Sequence, residues 1–181
     1  MPVIVVVGGQ WGDEGKGRIV DLLAQKAHIV ARYSAGANAG HTVVNEAGEF
    51  ALHLVPAGIF YPDKLCVIGN GVVVDPTGLL NEIEGLESRG ISVKGRLFLS
   101  DRAQVLMPWH PLIDRLDEEL RGDGAIGTTG CGVGPAFVDK VGRAGVRVAD
   151  LLDSESLLQL LSFLVPYKNA VLTKLYGADP L

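Results

Sequence analysis

The feature that most constrains the fold is an apolar run followed directly by a glycine-rich loop and then by a helical pattern. Residues 2–8 (Pro-Val-Ile-Val-Val-Val-Gly) are largely β-branched and do not alternate with polar residues, which predicts a buried strand. Residues 9–15 form the loop, and 16–26 have helical spacing with Ile19, Leu22 and Leu23 on the apolar face. This order predicts a phosphate site, because glycines let backbone N–H groups approach an anion at a helix N-terminus.

Strands and helices alternate through the rest of the chain. The remaining predicted elements are strands at 29–33, 66–69 and 97–99, a hairpin of 42–45 with 50–55, and helices at 76–90, 111–121 and 154–176, the last broken at Pro166. Two further glycine-rich loops lie at 34–41 and 124–134, and a basic segment follows at 140–147. The alternation predicts an α/β fold with a largely parallel central sheet and flanking helices, as one domain over 1–181 with a helical appendage at 151–181.

Composition narrows the class of protein. A net charge of −5 over 181 residues argues against binding to nucleic acid, which normally requires a basic surface. Cys66 and Cys131 are too few for a disulfide framework. The apolar run at the start is shorter than a signal-peptide core, and no stretch approaches the ~18 apolar residues that span a bilayer. We therefore expect a cytoplasmic protein without a membrane segment.

The first glycine-rich loop departs from the ordinary P-loop. That pattern requires glycine at position 10 and a hydroxyl at position 17, where this sequence has Gln10 and Gly17. Lys16 can still reach the outer phosphates, and Asp13 is the natural replacement for the hydroxyl as an oxygen ligand of Mg²⁺. Taken alone, the loop is equally compatible with a tight strand-to-helix turn that carries a surface lysine.

Three ordered motifs resemble the adenylosuccinate synthetase family. Residues 9–17 (Gly-Gln-Trp-Gly-Asp-Glu-Gly-Lys-Gly) closely resemble its signature, and 38–42 (Asn-Ala-Gly-His-Thr) resemble its second active-site segment. The third segment is matched by 126–130 (Ile-Gly-Thr-Thr-Gly) and 132–136 (Gly-Val-Gly-Pro-Ala). Shorter matches are Gly-Asn-Gly at 69–71 and Asp-Lys-Val at 139–141. The similarity spans nearly the whole chain.

The resemblance implies a ligase that joins IMP to L-aspartate while converting GTP to GDP and phosphate with Mg²⁺. It implies that Asp13 accepts the N1 proton of IMP and ligates Mg²⁺, that His41 is the general acid, and that the Gly40 carbonyl reaches the metal. Asn38 and Thr129 would contact IMP. A homodimer is implied, because the family's counterpart of Arg143 reaches the IMP phosphate of the partner subunit.

The implied site residues form overlapping sets. The catalytic set is Asp13, Lys16 and His41, and the metal ligands are Asp13 and Gly40. The GTP-binding set is Gly12, Asp13, Glu14, Gly15, Lys16, Gly17, Gly40, His41 and Thr42. The IMP-binding set is Asp13, Glu14, Lys16, Asn38, Ala39, Gly40, His41, Thr129 and Arg143. His53, Trp109 and His110 are interpreted as structural.

Two departures from the family pattern leave alternatives open. Cys131 stands where most members carry arginine, and family chains are about twice as long as this one. We therefore expect an N-terminal portion, truncated at a helical segment, with little or no turnover alone. A non-catalytic GTP-binding module is one alternative. Another is a phage-type relative acting on a guanine nucleotide, although that branch replaces the aspartate found here as Asp13. A generic P-loop ATPase is disfavoured by Gln10 and Gly17.

Overall fold

A computed structural model of the chain describes residues 2–10, 14–38, 40–45 and 48–181. The chain forms two compact units. The first consists of Met1–Arg32, Ala39–Ile68 and Thr77–Leu99, and the second of Tyr33–Asn38, Gly69–Pro76 and Ser100–Leu181. Across these described ranges, no helix combines the length and the apolar character needed to cross a membrane.

The first unit is built on a parallel sheet with the strand order β1–β4–β6. These strands are β1 (Ile29–Arg32), β4 (Leu65–Ile68) and β6 (Leu97–Leu99). β1 and β4 are in register from Ile29 opposite Leu65, and β4 and β6 from Cys66 opposite Leu97. One face, with Val30, Cys66 and Ile68, is buried in the core. Each fully buried aliphatic side chain contributes about 1.5–3 kcal/mol, so this face stabilises the unit.

The first unit also contains a hairpin and two helices. β2 (His41–Asn45) and β3 (Gly48–Leu52) pair in antiparallel fashion, α1 (Lys16–Ala24) packs on β2, and α2 (Pro76–Glu87) carries Glu82. The Glu82 carboxylate accepts hydrogen bonds from the N–H groups of Leu54 at 2.9 Å and Val55 at 3.3 Å. Glu82 therefore ties the segment after the hairpin to α2.

The second unit is mainly helical. β5 (Val73–Val74) and β7 (Gln104–Val105) pair in parallel and are followed by α3 (Trp109–Arg121), α4 (Val133–Gly142) and α5 (Ser154–Leu175). The larger core cluster consists of Val105, Trp109, Ile113, Val146, Leu164 and Leu172. A smaller cluster of Val73, Val133 and Ala136 packs α4 beside β5.

Most predicted elements are confirmed. The α/β class with a parallel sheet and flanking helices is correct, and so are the hairpin and the strand at 97–99. The predicted strands at 29–33 and 66–69 and the helices at 76–90 and 111–121 are each shifted by one to three residues at their ends. The hairpin turn at 46–47 lies outside the described residues. The division into one domain with an appendage at 151–181 stays a prediction.

The predicted strand at 2–8 is wrong for this structure. These residues have no regular secondary structure, and Val3, Ile4 and Val7 are 86%, 68% and 67% exposed. A parallel strand is stable only when neighbouring strands pair with its backbone N–H and C=O groups. Within the described ranges, no strand pairs with this segment. The β-branched composition indicates a preference for strand but supplies no pairing partner.

The helix predictions differ from the structure at α1 and α4, and also at α5. α1 ends at Ala24, which is its buried residue, whereas Ile19 and Leu22 on the predicted apolar face are exposed. The glycine-rich loop at 124–134 ends early because α4 starts at Val133, and the predicted basic segment at 140–147 begins inside that helix. α4 has no clear helical signal in the sequence, because glycines and a proline interrupt its pattern.

α5 continues through Pro166 instead of breaking there. Leu164, Lys168 and Leu172 are spaced one turn apart and are all buried. This packing holds the helix on both sides of the proline, which removes one backbone hydrogen bond.

Candidate functional site

The predicted site residues are divided between the two units. The first unit holds Glu14, Gly15, Lys16, Gly17, Gly40, His41 and Thr42, and the second holds Asn38, Thr129 and Arg143. Gly12, Asp13 and Ala39 lie outside the described residues.

The first loop places Lys16 beside Glu14 at the start of α1. Gly15 has φ +77°, a left-handed conformation that glycine adopts readily, and Lys16 begins the helix after it. Lys16 Nζ lies 2.6 Å from Glu14 Oε2, and the N–H of Gln10 donates to Glu14 Oε1 at 2.9 Å. Partly exposed ion pairs of this kind contribute about 0–1 kcal/mol. Glu14 therefore competes only weakly for the Lys16 ammonium.

Gly17 and His41 join the first loop to the second. A Cβ added at Gly17 would lie 2.7 Å from His41 Cβ and 2.8 Å from Cγ, well inside the optimal carbon–carbon separation. The serine or threonine of an ordinary P-loop would therefore displace the imidazole. The absence of a hydroxyl at position 17 has a steric reason, which is that His41 occupies that space.

His41 carries a buried nitrogen with no hydrogen-bond partner. Among the described side chains, its Nε2 is the buried polar atom that lacks one. Burial, followed by the Arg32 guanidinium, lowers the pKa of His41, while Asp21 and Glu82 oppose the shift. Because the net pKa lies below the usual value of about 6.5, the imidazole is neutral at pH 7 in the ligand-free chain. Nε2 is then available to a polar group of a ligand.

His53 lies against the backbone of Gly40. A Cβ at Gly40 would be 2.8 Å from His53 Nε2, so a side chain at position 40 would require the exposed imidazole of His53 to move. The hairpin register pairs His41 with Leu52, which brings His53 opposite Gly40. The sequence pattern predicts a structural role for His53, whereas the hairpin register places it beside the second loop. Thr42 is exposed in β2.

The third loop is held by a carboxylate of α3. Glu118 accepts hydrogen bonds from the backbone N–H groups of Ile126, Gly127 and Thr128. Thr129 is exposed, and Cys131 Sγ lies 3.7 Å from its carbonyl oxygen. Cys131 therefore sits at the predicted IMP contact.

A buried charged network fixes α4. Asp139 Oδ2 lies 2.9 Å from His110 Nε2, and Lys168 Nζ lies 2.5 Å from Asp139 Oδ1. The N–H of Met107 donates to His110 Nδ1 at 2.8 Å, which leaves the proton of a neutral imidazole on Nε2 facing Asp139. Burial raises the pKa of Asp139, but His110 and Lys168 outweigh it and hold the pKa below its usual value. Asp139 is therefore an ionised anchor between α3, α4 and α5.

Arg143 follows directly from this anchored helix. It is the C-cap of α4 and has φ +58°, which is uncommon for a residue with a side chain. Its side chain is exposed. Such strained positions persist where the surrounding structure fixes them, and the network at Asp139 lies one turn before Arg143.

The described ranges contain no cluster of three or more His, Cys, Asp or Glu side chains arranged to hold a metal ion. Of the two predicted ligands, Asp13 is outside those ranges and Gly40 is exposed. A site made of one carboxylate, one carbonyl and phosphate oxygens fits the oxygen preference of Mg²⁺.

In an α/β protein with a parallel sheet, a glycine-rich loop followed by a helix that begins with lysine is typical of nucleotide-binding proteins. Comparison with known proteins specifies the family. The adenylosuccinate synthetase family model matches residues 5–180. The adenylosuccinate synthetase of Dehalococcoides mccartyi is 55% identical over 181 residues, covering 100% of this chain and 43% of the relative. That of Heliobacterium modesticaldum is 57% identical over 179 residues, covering 99% of this chain and 42% of the relative. The chain belongs to the adenylosuccinate synthetase family.

Solved structures agree with this assignment. The fully ligated adenylosuccinate synthetase from Plasmodium falciparum has a TM-score of 0.80 and 39% identity, covering 93% of this chain and 38% of that one. The cyanophage S-2L succinoaminodeoxyadenylate synthetase, bound to dGMP and to dATP as an energy donor, has a TM-score of 0.58 and 30% identity. This match covers 74% of this chain and 36% of the cyanophage chain. The chain thus spans about two fifths of the length of the relatives it matches.

Proposed function

We propose that this chain supplies nucleotide-binding loops for the GTP-dependent ligation of IMP and L-aspartate, which yields adenylosuccinate, GDP and phosphate. This reaction forms a C–N bond and commits IMP to the synthesis of AMP. The observation that carries the proposal is the contact between Gly17 and His41, because it joins two loops that the family resemblance assigns to one site. The unpartnered Nε2 of His41 supports a ligand at this position.

The first-unit residues have distinct roles in this proposal. Asp13 takes the proton from N1 of IMP, so that O6 attacks the γ-phosphorus of GTP and GDP leaves. Lys16 neutralises the transferring phosphates, a task that consists of positioning and charge compensation. His41 donates a proton near the transferring oxygen. The amine of aspartate then attacks C6, and phosphate departs with O6.

His41 must gain a proton to act as a general acid. In the ligand-free chain its pKa is lowered by burial and by Arg32. A bound polyanion favours the charged imidazole and raises that pKa. Nucleotide binding therefore promotes the protonation that His41 needs to act as a general acid. General acid–base groups contribute typically ~10²–10⁴ in rate.

The remaining proposed contacts bind IMP and Mg²⁺. Asn38, Thr129 and Arg143 would contact IMP, with Arg143 offered by the partner subunit of a homodimer. Mg²⁺ would be held by Asp13, the Gly40 carbonyl and nucleotide oxygens, where it supplies neutralisation of phosphate charge.

Nucleotide binding is tested by titrating the chain with GTP and with IMP in the presence of Mg²⁺, using calorimetry. We expect both to bind, and Lys16→Met to weaken GTP binding at least about tenfold through loss of a phosphate contact. Lys26→Met is the matched control, because Lys26 is exposed just after α1. Equal losses of GTP affinity in both variants would show that the effect comes from removing a positive charge and not from a specific contact of Lys16.

A non-catalytic nucleotide-binding module is the second candidate, favoured by Cys131, which stands where the family resemblance expects arginine. The two are separated by joining this chain to the remaining part of the Dehalococcoides mccartyi synthetase and measuring adenylosuccinate absorbance with GTP, IMP, aspartate and Mg²⁺. Turnover that is lost in His41→Asn supports the synthetase, whereas binding without turnover supports the module. A phage-type relative would instead require dGMP as the acceptor, which the same assay compares with IMP.

A further inference from the structure

Three consecutive backbone N–H groups converge on one carboxylate in the second unit. Glu118 accepts from Ile126 at 3.1 Å, Gly127 at 2.6 Å and Thr128 at 3.2 Å. Gly127 has φ +76°, a left-handed turn of the kind that aims successive N–H groups into a shared concavity. Such concavities bind anions, and the anion now in this one is the protein's own side chain.

A cavity beside these N–H groups has the size and chemistry of an anion site. Its volume is about 460 Å³, within the range of small-ligand sites. The lining residues come from α3 and the third loop: Pro111, Arg115, Glu118, Thr128, Thr129 and Gly130. Arg115 offers a cation, and Thr128 and Thr129 offer hydroxyls. Glu118 is the acidic member of this set.

We propose that Glu118 is an internal competitor for the nucleotide phosphate at the third loop, and that the phosphate binds by displacing Glu118 from the N–H groups of 126–128. The inference rests on the proposed function, in which Thr129 contacts IMP. The exchange replaces one anion with another, so the loop can keep its conformation. Glu118 therefore lowers the affinity of this site for phosphate, because each phosphate that binds must first displace the Glu118 carboxylate.

The state of Glu118 suits this role. Burial by itself raises its pKa, but the three N–H donors outweigh burial, with Arg121 adding to them, and its pKa lies below the usual carboxyl value. Glu118 is therefore fully ionised at neutral pH and repels a second anion. The side chain is only half-buried, so solvent can receive it when it leaves.

The experiment compares Glu118→Gln with the wild-type chain. Glutamine keeps the shape but removes the charge and one acceptor oxygen, and its NH₂ group opposes the N–H donors. Inorganic phosphate and IMP are titrated separately, with the amide resonances of 126–128 followed by NMR. Glu119→Gln is the matched control, since Glu119 is the next residue of α3 and is exposed. Glu118→Ala, which removes both acceptors, is the second variant.

We expect Glu118→Gln to bind phosphate and IMP about tenfold more tightly, which corresponds to ~1.4 kcal/mol, and Glu119→Gln to bind as wild type. Equal or weaker phosphate binding in both Glu118 variants would overturn the inference and make Glu118 a structural tie. If no variant binds IMP but Glu118→Gln gains phosphate with shifts at 126–128, the competitor role stands and the proposed function fails. If IMP binds without moving these amides, the competitor role fails alone.

Discussion

Gly17 lies against the imidazole of His41, with room for a hydrogen atom but not for a methyl group at position 17. This contact accounts for the departure of the first glycine-rich loop from the P-loop pattern at position 17. A hydroxyl at position 17 is excluded because the second loop fills its place. The two loops therefore constrain each other's sequence.

Gly17→Ala tests this packing. We expect it to displace His41 and to weaken GTP binding by at least about tenfold, since a clash of this size shifts one of the two loops. Gly85→Ala is the control, because a Cβ there meets nothing within 4 Å in α2. That control should stabilise the chain by about 0.5–1 kcal/mol while GTP binding stays the same. Calorimetry and thermal unfolding measure both, and unchanged GTP affinity in Gly17→Ala would contradict the contact.

The titration of His41 should depend on the nucleotide. In the ligand-free chain its pKa lies below about 6.5 because of burial and Arg32, so protonation favours the unfolded state. The stabilisation from neutral His41 is complete above the unfolded value and is lost as the pH falls through the lowered folded pKa. A pH series of the imidazole resonance, assigned with His41→Gln, should show this pKa and its rise with GTP. A pKa unaffected by GTP would remove His41 from the phosphate site.

Asp139→Asn should destabilise the second unit strongly. The substitution leaves Lys168 buried without its charged partner, at a cost of about 3–5 kcal/mol. Because the folded pKa of Asp139 is lowered, its contribution is present above the ordinary carboxyl value of about 3.9 and is lost as the pH falls through the folded value. Urea denaturation at pH 7 measures the cost. Asp123 is exposed, so Asp123→Asn serves as the control. Its free energy of unfolding should stay within about 0.5 kcal/mol of the wild-type value.

The two cysteines should differ in reactivity. Burial raises the pKa of the Cys66 thiol to about 11, so it remains protonated and shielded at pH 8. Cys131 is partly exposed beside Thr129. A chromogenic disulfide reagent should therefore label one thiol per chain quickly, and Cys131→Ser should abolish that phase. IMP should slow it, and fast labelling that persists in Cys131→Ser would assign the reactive thiol to Cys66.

Elements with a local signal were predictable from the sequence. The strand at 97–99 and the helix that begins at Pro76 follow from apolar spacing and capping residues next to one another in the chain. The hairpin of β2 and β3 followed in the same way. What failed depended on partners distant in sequence. Residues 2–8 have strand composition without a paired neighbour, and α5 passes Pro166 because buried packing outweighs one missing hydrogen bond.

The residues of the candidate site divide in the same way, into those with a local sequence signal and those whose contacts are distant in sequence. Motif spacing indicated Lys16, His41 and Thr129, whereas the packing of His53 on Gly40 and the capture of 126–128 by Glu118 required three-dimensional proximity. Glu118 is eight to ten residues from the groups that it binds, with a 3-10 turn between them. No pattern in the sequence identifies such a contact.

The exposed run at 2–8 has a consequence for the behaviour of the chain in concentrated solution. A stretch of valine and isoleucine without charge is the type of segment that stacks into cross-β aggregates when it is accessible. A net charge of −5 gives modest colloidal repulsion between copies. We expect these exposed residues, which pair with no strand in the described part of the chain, to recruit the same segment of other copies, so that turbidity grows steeply with protein concentration. A lysine in place of Val5 should act as a gatekeeper and suppress that growth.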